Sequence, residues 1–357
     1  MMDYRHWGDF FIVGLEGPSL TSREASLLAA LSPLGIILFA KNFADDADRW
    51  PEILARLIAD AKEATGRPSL LVSIDHEGGR VHRFPSRVTR FPYARAWAHQ
   101  AAAVGRAMGR ELHALGFNLN FAPVLDVHAE PQNQVIGDRA FATDPADVPQ
   151  PALAFLRAME AEGVLGCIKH FPGHGATVAD SHFELPHLDV SLDVFRSREL
   201  HPFIELLKHE PQLLMSAHVR YLALDSARPA TLSRRILHEL LRGELQYRGV
   251  VVSDDLEMAA LQHVPPGERA VLAVTAGIDL LLEGNPKDGP ALEYAWEMAE
   301  GLEAAGLGAT AEIRCARERL ATLVGHVDRL QAAAPRRDVA VLNCSEHQEL
   351  CTSVTEG

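Results

Sequence analysis

Short apolar runs alternate with amphipathic stretches along most of this chain. The runs are continuous rather than alternating in polarity, which is typical of strands buried on both faces of a parallel sheet. The stretches between them repeat apolar residues at spacings of three and four, which predicts helices. Eight strands are predicted, at Phe10–Leu15, Gly35–Phe39, Leu70–Asp75, Phe117–Ala122, Gly163–Lys169, Leu213–Ala217, Gly249–Asp254 and Ile278–Leu282. Helices are predicted at Trp50–Thr65, Ala94–Leu115, Pro149–Glu162, Arg196–Lys208, Arg234–Leu245, Gly267–Ala276 and Ala311–Gln331.

Eight strand–helix units predict an α/β fold, a single (β/α)8 barrel of the TIM type. The alternative is a doubly wound open sheet, which would place a glycine-rich phosphate-binding turn after an early strand. The segment Gly14–Pro18 (GLEGP) does not match such a turn. No break in composition separates a second domain, so we predict one catalytic domain over residues 1–335. Residues 336–357 are mixed in character, and we predict a short, poorly ordered C-terminal tail.

The composition limits the classes of function that the chain can have. Of 357 residues, 47% are hydrophobic and 23% are charged, so the chain can bury a large core. A formal net charge of −14 argues against nucleic acid as a partner, because phosphate binding requires clustered lysine and arginine. No apolar run reaches about 18 residues, so we expect no membrane span. The four cysteines lack CxxC spacing, which favours reduced thiols in a cytoplasmic protein.

Titratable residues concentrate where the predicted strands end. In barrels of this type the catalytic groups lie at the carboxyl ends of the strands and in the loops that follow them. This concentration at one rim therefore favours an enzyme. The residues at these positions are Glu16, Lys41, Asp75, His76, Glu77, Asp126, Lys169, His170, His218, Asp254, Asp255 and Glu283.

The densest cluster follows the fifth predicted strand. Lys169 and His170 stand at the end of that strand, where they can hydrogen-bond a polyhydroxylated ligand. Asp180 and His182 are two residues apart and can form a carboxylate–imidazole pair, in which the carboxylate orients the ring. An imidazole with a pKa near its usual value of about 6.5 can first donate and then accept a proton. His174, between these two pairs, is interpreted as a structural loop histidine.

Three further segments carry candidate ligands or nucleophiles. After the third strand, Asp75 is followed by two glycines, which we expect to let the backbone approach a ligand closely, and by Arg83. Arg139 lies in the long loop after the fourth strand. The seventh strand runs into Asp254 and Asp255, of which one can act as a nucleophile while the other caps the next helix. The alternation of side chains along the strand does not show which of these two carboxylates is the nucleophile, because both faces of the strand are buried.

Taken together, five segments resemble glycoside hydrolase family 3, specifically its single-domain bacterial β-N-acetylhexosaminidases of cell-wall recycling. They occur in the order of the family and cover most of the chain. His76 stands where members of the family carry glutamine. The five segments are Ile74–Phe84 (IDHEGGRVHRF), Gly137–Phe141 (GDRAF), Lys169–Gly175 (KHFPGHG), Ala179–His182 (ADSH) and Ser253–Met258 (SDDLEM).

The resemblance implies a role for individual residues. It identifies Asp254 as the nucleophile of a retaining β-N-acetylglucosaminidase, and His182, held by Asp180, as its acid/base. It implies cytoplasmic muropeptides, with N-acetylglucosamine on anhydro-N-acetylmuramic acid, as substrates in peptidoglycan recycling. No cofactor, metal ion, nucleic acid or membrane is implied, and a monomer suits a self-contained barrel. The resemblance assigns the contacts with the sugar to Asp75, Arg83, Arg139, Lys169 and His170.

Two other functions fit parts of the sequence. A metal-dependent barrel hydrolase would use His170, His174 and His218 with an aspartate. Against it, no His-x-His follows the first strand, and Lys169 would repel a cation. A barrel that binds sugar without cleaving it is the non-enzymatic alternative. The intact set of candidate nucleophile, acid and sugar ligands argues against it.

Overall fold

The structure is a computed structural model that describes residues 3–177, 185–284, 289–336 and 338–356. Its core consists of short parallel strands with helices between them, which confirms the predicted α/β class. The strands are β1 (Phe11–Gly14), β2 (Gly35–Ile37), β3 (Leu71–Ile74), β4 (Leu119–Asn120), β5 (Leu165–Gly166), β6 (Ile168–Phe171), β7 (His187–Leu188), β8 (Leu213–Ser216), β9 (Arg220–Tyr221), β10 (Val250–Val252) and β11 (Leu281–Glu283).

The described strands form two main parallel sheets rather than one continuous sheet. The larger has the order β11-β1-β2-β3-β4-β5 and the smaller has the order β10-β8-β6. Parallel bridges connect the two sheets at both margins, between Val252 and Leu280 and between Val124 and Lys169. A third pair, β7 with β9, lies outside this core. All parallel strands end at one edge, so the residues that follow them are brought together.

Every predicted apolar run contains a strand, because buried parallel strands need no alternation in polarity. The fifth run is divided at Cys167 into β5 and β6. There the Cys167 N–H donates to both the Asn120 and the Ala122 carbonyl oxygens, at 3.1 and 2.9 Å. The chain thereby changes partner, since β5 pairs with β4 whereas β6 pairs with β8.

The helices begin and end at residues suited to these positions. The Thr21 and Glu24 side chains form a capping box at the start of α2 (Ser22–Leu31), and Gly66 ends α3 (Trp50–Thr65) in the left-handed conformation. Segments Phe195–Glu199 and Arg235–Glu244 are wound as π-helices. The α-helices are α1 (Arg5–Gly8), α2 (Ser22–Leu31), α3 (Trp50–Thr65), α4 (Ala94–Trp97), α5 (Ala101–Ala114), α6 (Pro149–Glu160), α7 (Leu192–Val194), α8 (His201–Leu207), α9 (Pro266–Ala276), α10 (Ala291–Ala304), α11 (Ala311–Ala333) and α12 (Ser345–Glu356). Short 3-10 turns occur at Ala40–Asn42, Ala98–Gln100, Gly137–Arg139, Pro145–Asp147, Ala230–Leu232, Ala259–Leu261, Leu307–Ala309 and Val339–Val341.

Among the described residues, no helix is both long and apolar enough to cross a membrane.

The prediction of a poorly ordered tail after residue 335 is wrong for most of that segment. Residues 345–356 form α12, which packs against α4 and α5. Val354 is buried to 1% exposure, and the His347 side chain is equally buried. The tail is therefore part of the folded core.

A buried carboxylate holds this tail in place. Glu111 on α5 is fully buried and accepts hydrogen bonds from the Thr89 hydroxyl (2.6 Å) and N–H (3.0 Å). Its Oε1 also accepts from the Asn343 N–H at 2.7 Å and lies 2.9 Å from His347 Nδ1. The sequence did not reveal this contact, because a glutamate within an amphipathic helix usually faces solvent.

Replacing His347 by alanine is expected to lower the free energy of unfolding by about 2 kcal/mol, because a buried acceptor loses a donor. The matched control is E346A, one residue away. The Glu346 side chain is 72% exposed and pairs with Arg110 at 3.0 Å, so its loss is expected to cost less than about 1 kcal/mol. Urea unfolding of both variants measures the difference. Equal losses of unfolding free energy in the two variants would mean that α12 does not pack as described.

Candidate active site

A cavity of about 310 Å³ opens at the edge where the parallel strands end. Its walls come from the ends of β3, β6 and β10 and from the loop that follows β4. All five predicted sugar ligands and the predicted nucleophile line it, so the structure brings these residues together. The lining residues are Asp75, Glu77, Arg80, Val81, Arg83, Val135, Arg139, Lys169, His170, His174, Asp254 and Met258.

Lys169 is the central cation of the cavity. Its side chain is only 2% exposed, and its Nζ donates to Asp75 Oδ1 at 2.7 Å and lies 2.6 Å from Glu77 Oε1. Burial alone would lower the pKa of Lys169, but the two carboxylates outweigh it and raise the pKa above its usual value. Lys169 is therefore charged at neutral pH, with one of its two partners, Asp75, open to the cavity.

Glu77 forms ion pairs with both Lys169 and Arg139, and Arg139 lies in the loop that follows β4. Arg139 donates from Nε to Glu77 Oε2 at 2.7 Å and from Nη2 to Oε1 at 2.8 Å, a two-pronged ion pair. Burial alone would raise the pKa of Glu77, but Arg139 and Lys169 hold it below its usual value of 4.5. Arg139 also donates to the Val135 carbonyl at 2.9 Å, so the ion pair fixes the loop after β4.

Glu77 was not among the ligands predicted from the sequence. The signal that could have found it is its spacing from Asp75. Residues two apart in an extended segment project to the same side, so Asp75 and Glu77 can reach the same cation.

The two glycines after Glu77 have a different role from the one that we predicted. Gly78 and Gly79 have φ angles of +90° and +55°, in the left-handed region. A Cβ atom at Gly78 would lie 2.5 Å from the Pro92 carbonyl oxygen, and one at Gly79 would lie 2.2 Å from the Tyr93 ring. The two glycines therefore let the backbone lie close to Pro92 and Tyr93.

Arg83 faces the cavity beside Asp75. Its Nη2 lies 3.9 Å from Asp75 Oδ2, and its guanidinium carbon lies 5.9 Å from the centre of the Phe39 ring. The side chain is 34% exposed, and its Nε has no hydrogen-bond partner in the described part of the chain. Arg83 thus presents donors to the cavity without being neutralised by a close ion pair.

His170 is held from behind by Asp126. Its Nδ1 lies 2.6 Å from Asp126 Oδ2, while Asp126 Oδ1 accepts the backbone N–H of His174 at 2.7 Å. Burial would raise the pKa of Asp126, but His170 and these hydrogen bonds lower it, so the group is ionised. His174 follows the structural interpretation, since its Nδ1 lies 2.8 Å from the Thr177 hydroxyl. Burial lowers the pKa of His174 to about 4, so its ring is neutral.

Asp254 lies two residues after the end of β10, in the wall of the cavity. Its Oδ1 accepts the N–H of Asp255 at 2.8 Å. Burial would raise its pKa, but His170, His218, this hydrogen bond and Lys169 together bring it below the usual 3.8. Asp254 is thus a carboxylate at neutral pH. Asp255 points elsewhere, accepting the N–H groups of Glu257 and Gly284 at 3.1 Å each, so it takes the structural role of the pair.

His218 supports the turn that carries Asp254. One ring nitrogen, Nε2, lies 2.9 Å from the Asp255 carbonyl oxygen, and Nδ1 lies 2.8 Å from the Thr231 hydroxyl. Both nitrogens are therefore engaged, and His218 cannot ligate a metal ion in this arrangement. The described ranges contain no group of three or more His, Cys, Asp or Glu side chains suited to a metal. The two hydrogen bonds of the His218 ring argue against a metal site that uses this residue.

Some residues of the predicted rim lie away from the cavity. Glu283 is fully buried without a hydrogen-bond partner among the described residues, and burial raises its pKa well above the usual value. The His76 ring packs against the His82 and Phe84 rings, with centroids 5.1 and 5.2 Å apart. His76 does not line the cavity, so its difference from the family pattern leaves the cavity wall unchanged.

The predicted acid/base pair, Asp180 and His182, lies outside the described residues. The structure describes the chain on both sides of it. Before it, the Tyr221 hydroxyl donates to the Gly173 carbonyl oxygen at 2.7 Å. After it, β7 pairs with β9. The roles assigned to Asp180 and His182 remain predictions.

The family model described as the glycosyl hydrolase family 3 N terminal domain matches residues 12–323. A β-hexosaminidase of Alkalilimnicola ehrlichii is 41% identical over 297 residues, which cover 79% of this chain and 82% of that protein. A family 3 β-N-acetylglucosaminidase from a Paenibacillus species has a similar structure, with a TM-score of 0.88 and 33% identity. The match covers 100% of this chain and 68% of that one.

A second similar structure is NagZ from Neisseria gonorrhoeae, solved in complex with N-trifluoroacetyl-D-glucosamine. Its TM-score is 0.78 and its identity is 30%, and the match covers 98% of this chain and 97% of that one.

Replacing Glu77 by glutamine is expected to lower the free energy of unfolding by about 3 kcal/mol at neutral pH, because a buried ion pair loses one partner. The folded-state pKa of Glu77 lies below 4.5, so its contribution is present above that pH and is lost as the pH falls further. The difference in unfolding free energy between wild type and E77Q should therefore become smaller below about pH 4.5. Urea unfolding across this range measures it.

The matched control for this prediction is E52Q, on the exposed surface of α3. It is expected to change the unfolding free energy by less than about 0.5 kcal/mol. An E77Q variant as stable as E52Q at neutral pH would contradict the description of Glu77 as the link between the two cations.

Proposed function

The chain belongs to glycosyl hydrolase family 3, and from that membership we propose that it is a retaining exo-β-N-acetylglucosaminidase. The observation that carries the proposal is that one cavity contains both an ionised carboxylate, Asp254, and several charged and polar side chains that can bind a sugar. Sugar hydroxyl groups require donors and acceptors at fixed positions, and the cavity offers both. The similar proteins support the same substrate class, since they are a β-hexosaminidase, a β-N-acetylglucosaminidase and NagZ in complex with N-trifluoroacetyl-D-glucosamine.

In the proposed mechanism, Asp254 attacks the anomeric carbon of a terminal β-linked N-acetylglucosamine. His182, oriented by Asp180, protonates the departing oxygen, and a covalent glycosyl–enzyme intermediate forms. Water activated by the same histidine then releases the sugar with retained configuration. The low pKa of Asp254 supports this step, because only the ionised form is a nucleophile.

The acid/base assignment rests on the sequence pattern of residues 179–182, since these residues lie outside the described part of the chain. A histidine in this role is neutral as a base, so it does not repel an anionic acceptor such as phosphate as a carboxylate would.

The proposed sugar ligands act as a set. Asp75 can accept from hydroxyl groups, whereas Lys169, Arg83 and Arg139 supply donors. Positive charge develops on the sugar ring in the transition state, and the carboxylates Asp75 and Asp254 can stabilise it. A cavity of about 310 Å³, at the lower end of the usual range of ligand sites, favours recognition of one terminal sugar.

We also propose a biological setting and a closed architecture. The substrates are muropeptides carrying N-acetylglucosamine on anhydro-N-acetylmuramic acid, hydrolysed in the cytoplasm during peptidoglycan recycling. The eight main strands, with β5 and β6 as one, close into a (β/α)8 barrel of a single catalytic domain that acts as a monomer. The bridges at Val252–Leu280 and Val124–Lys169 support closure, because they connect the margins of the two sheets.

Replacing Asp254 by alanine is expected to reduce hydrolysis of an aryl β-N-acetylglucosaminide by about 10⁴-fold or more. Azide is expected to restore part of the turnover by entering the space of the missing carboxylate, giving an α-glycosyl azide through a single displacement. The control is D45A, a change of the same type at an exposed position, which should keep full activity. Substantial hydrolysis by D254A without azide would exclude Asp254 as the nucleophile.

The product released first from an aryl β-N-acetylglucosaminide is expected to be the β-anomer, because two displacements restore the configuration. Proton NMR of the anomeric signals in the first minutes of the reaction distinguishes the two anomers before mutarotation. A panel of aryl glycosides in the same assay tests the preference for N-acetylglucosamine. An initial α-anomer would refute retention, even if the substrate preference is as proposed.

A further inference from the structure

Asp126 is a buried carboxylate that lies behind His170, outside the wall of the active-site cavity. It follows β4, is 0% exposed, and is not part of the cavity wall. Its two oxygens face donors exclusively. Oδ1 accepts the backbone N–H of His174 at 2.7 Å and of His170 at 3.3 Å, and Oδ2 lies 2.6 Å from His170 Nδ1. These partners all belong to the segment that carries the proposed sugar ligands Lys169 and His170.

These contacts determine which ring nitrogen of His170 carries a proton. An ionised carboxylate can only accept hydrogen bonds, so Nδ1 must be the donor in the 2.6 Å contact. This holds whether the ring is neutral or charged. The remaining polar atom, Nε2, has no hydrogen-bond partner in the described chain, while the His170 ring lines the cavity. In the neutral ring, Nε2 is therefore a hydrogen-bond acceptor on a side chain that lines the cavity.

We propose that Asp126 is a positioning residue that fixes the Nδ1–H tautomer of His170, so that Nε2 accepts a hydrogen bond from a hydroxyl group of the bound sugar. The cavity is otherwise rich in cationic donors, namely Lys169, Arg83 and Arg139. An acceptor at Nε2 complements them, because a sugar hydroxyl both donates and accepts. The assignment rests on the proposed function for the identity of the ligand, but the tautomer itself does not.

The opposite arrangement at His218 provides an internal comparison. There Nε2 faces a carbonyl oxygen, that of Asp255, at 2.9 Å, so Nε2 must carry the proton. Its Nδ1 lies 2.8 Å from the Thr231 hydroxyl, which also lies 3.1 Å from the Ala217 carbonyl oxygen. Both rings are buried close to Asp254, yet their surroundings impose opposite tautomers. A single spectrum can therefore report both.

The primary test is two-bond ¹H–¹⁵N correlation NMR of the wild-type protein labelled with ¹⁵N-histidine, recorded at alkaline pH without ligand. H170Q and H218Q spectra identify the two rings. His170 is expected to show the neutral Nδ1–H tautomer, and His218 the Nε2–H tautomer. An unprotonated Nδ1 or a protonated Nε2 in His170 would overturn the proposal. This result does not depend on turnover, so it stands apart from any failure of the proposed function.

The D126N variant tests the cause of the tautomer. Its amide oxygen is needed by the two backbone N–H groups, so its NH₂ group must face His170 Nδ1. The neutral ring should then move its proton to Nε2, while the His218 signals stay unchanged and show that the fold is intact. A His170 ring that keeps Nδ1–H in folded D126N would contradict control by Asp126. If D126N does not fold, the wild-type spectrum still decides the proposal.

A double-mutant cycle tests whether Asp126 acts through His170. D126N is expected to lower kcat/KM for an aryl N-acetylglucosaminide by about 10- to 100-fold, the usual effect of one misoriented hydrogen bond in a buried site. Removing Asp126 in the H170Q background should add less than about threefold, because the two residues form one unit. Fully additive losses would instead identify Asp126 as a general structural residue and overturn the positioning role.

Discussion

The active-site cavity depends on a group of buried charges that neutralise one another. Removing a lysine, an arginine and a glutamate from water is costly, and the cost is offset only when each charge is paired in good geometry. Glu77 meets this condition because it lies 2.6 Å from Lys169 Nζ and receives a two-pronged contact from Arg139. Three separate strand ends and loops are thereby fixed relative to one another before any ligand arrives.

The same group of charges prepares the proposed nucleophile. A carboxylate at the edge of a protein core tends to take up a proton, which would make it unreactive. His170, His218, the Asp255 N–H and Lys169 counter this tendency at Asp254 and bring its pKa below the usual value. The proposed nucleophile therefore depends on two of the proposed sugar ligands, His170 and Lys169. Because the same residues contribute to both, the titratable residues of the sequence lie at the ends of only a few strands.

The sequence predicts the strands well and the contacts between charged residues poorly. A buried parallel strand leaves a local signature, a continuous apolar run, and each of the eight runs contains one. The pairings of Glu77 and Asp126 join residues 62 and 44 positions apart, to Arg139 and His170, and no local pattern records such a partner. Gly78 illustrates the same limit, since the sequence indicated a close approach of the backbone there but not the neighbour, Pro92, that it approaches.

The contact between Glu111 and the C-terminal segment has an evolutionary consequence. Because the carboxylate is buried, it is tolerated only while Thr89, Asn343 and His347 supply its donors. A chain without the last helix would lose the His347 partner of this buried carboxylate near the end of α5. Substitution at Glu111 and loss of α12 should therefore occur together among relatives, so the identity of this one helix residue can indicate which relatives carry a helix equivalent to α12.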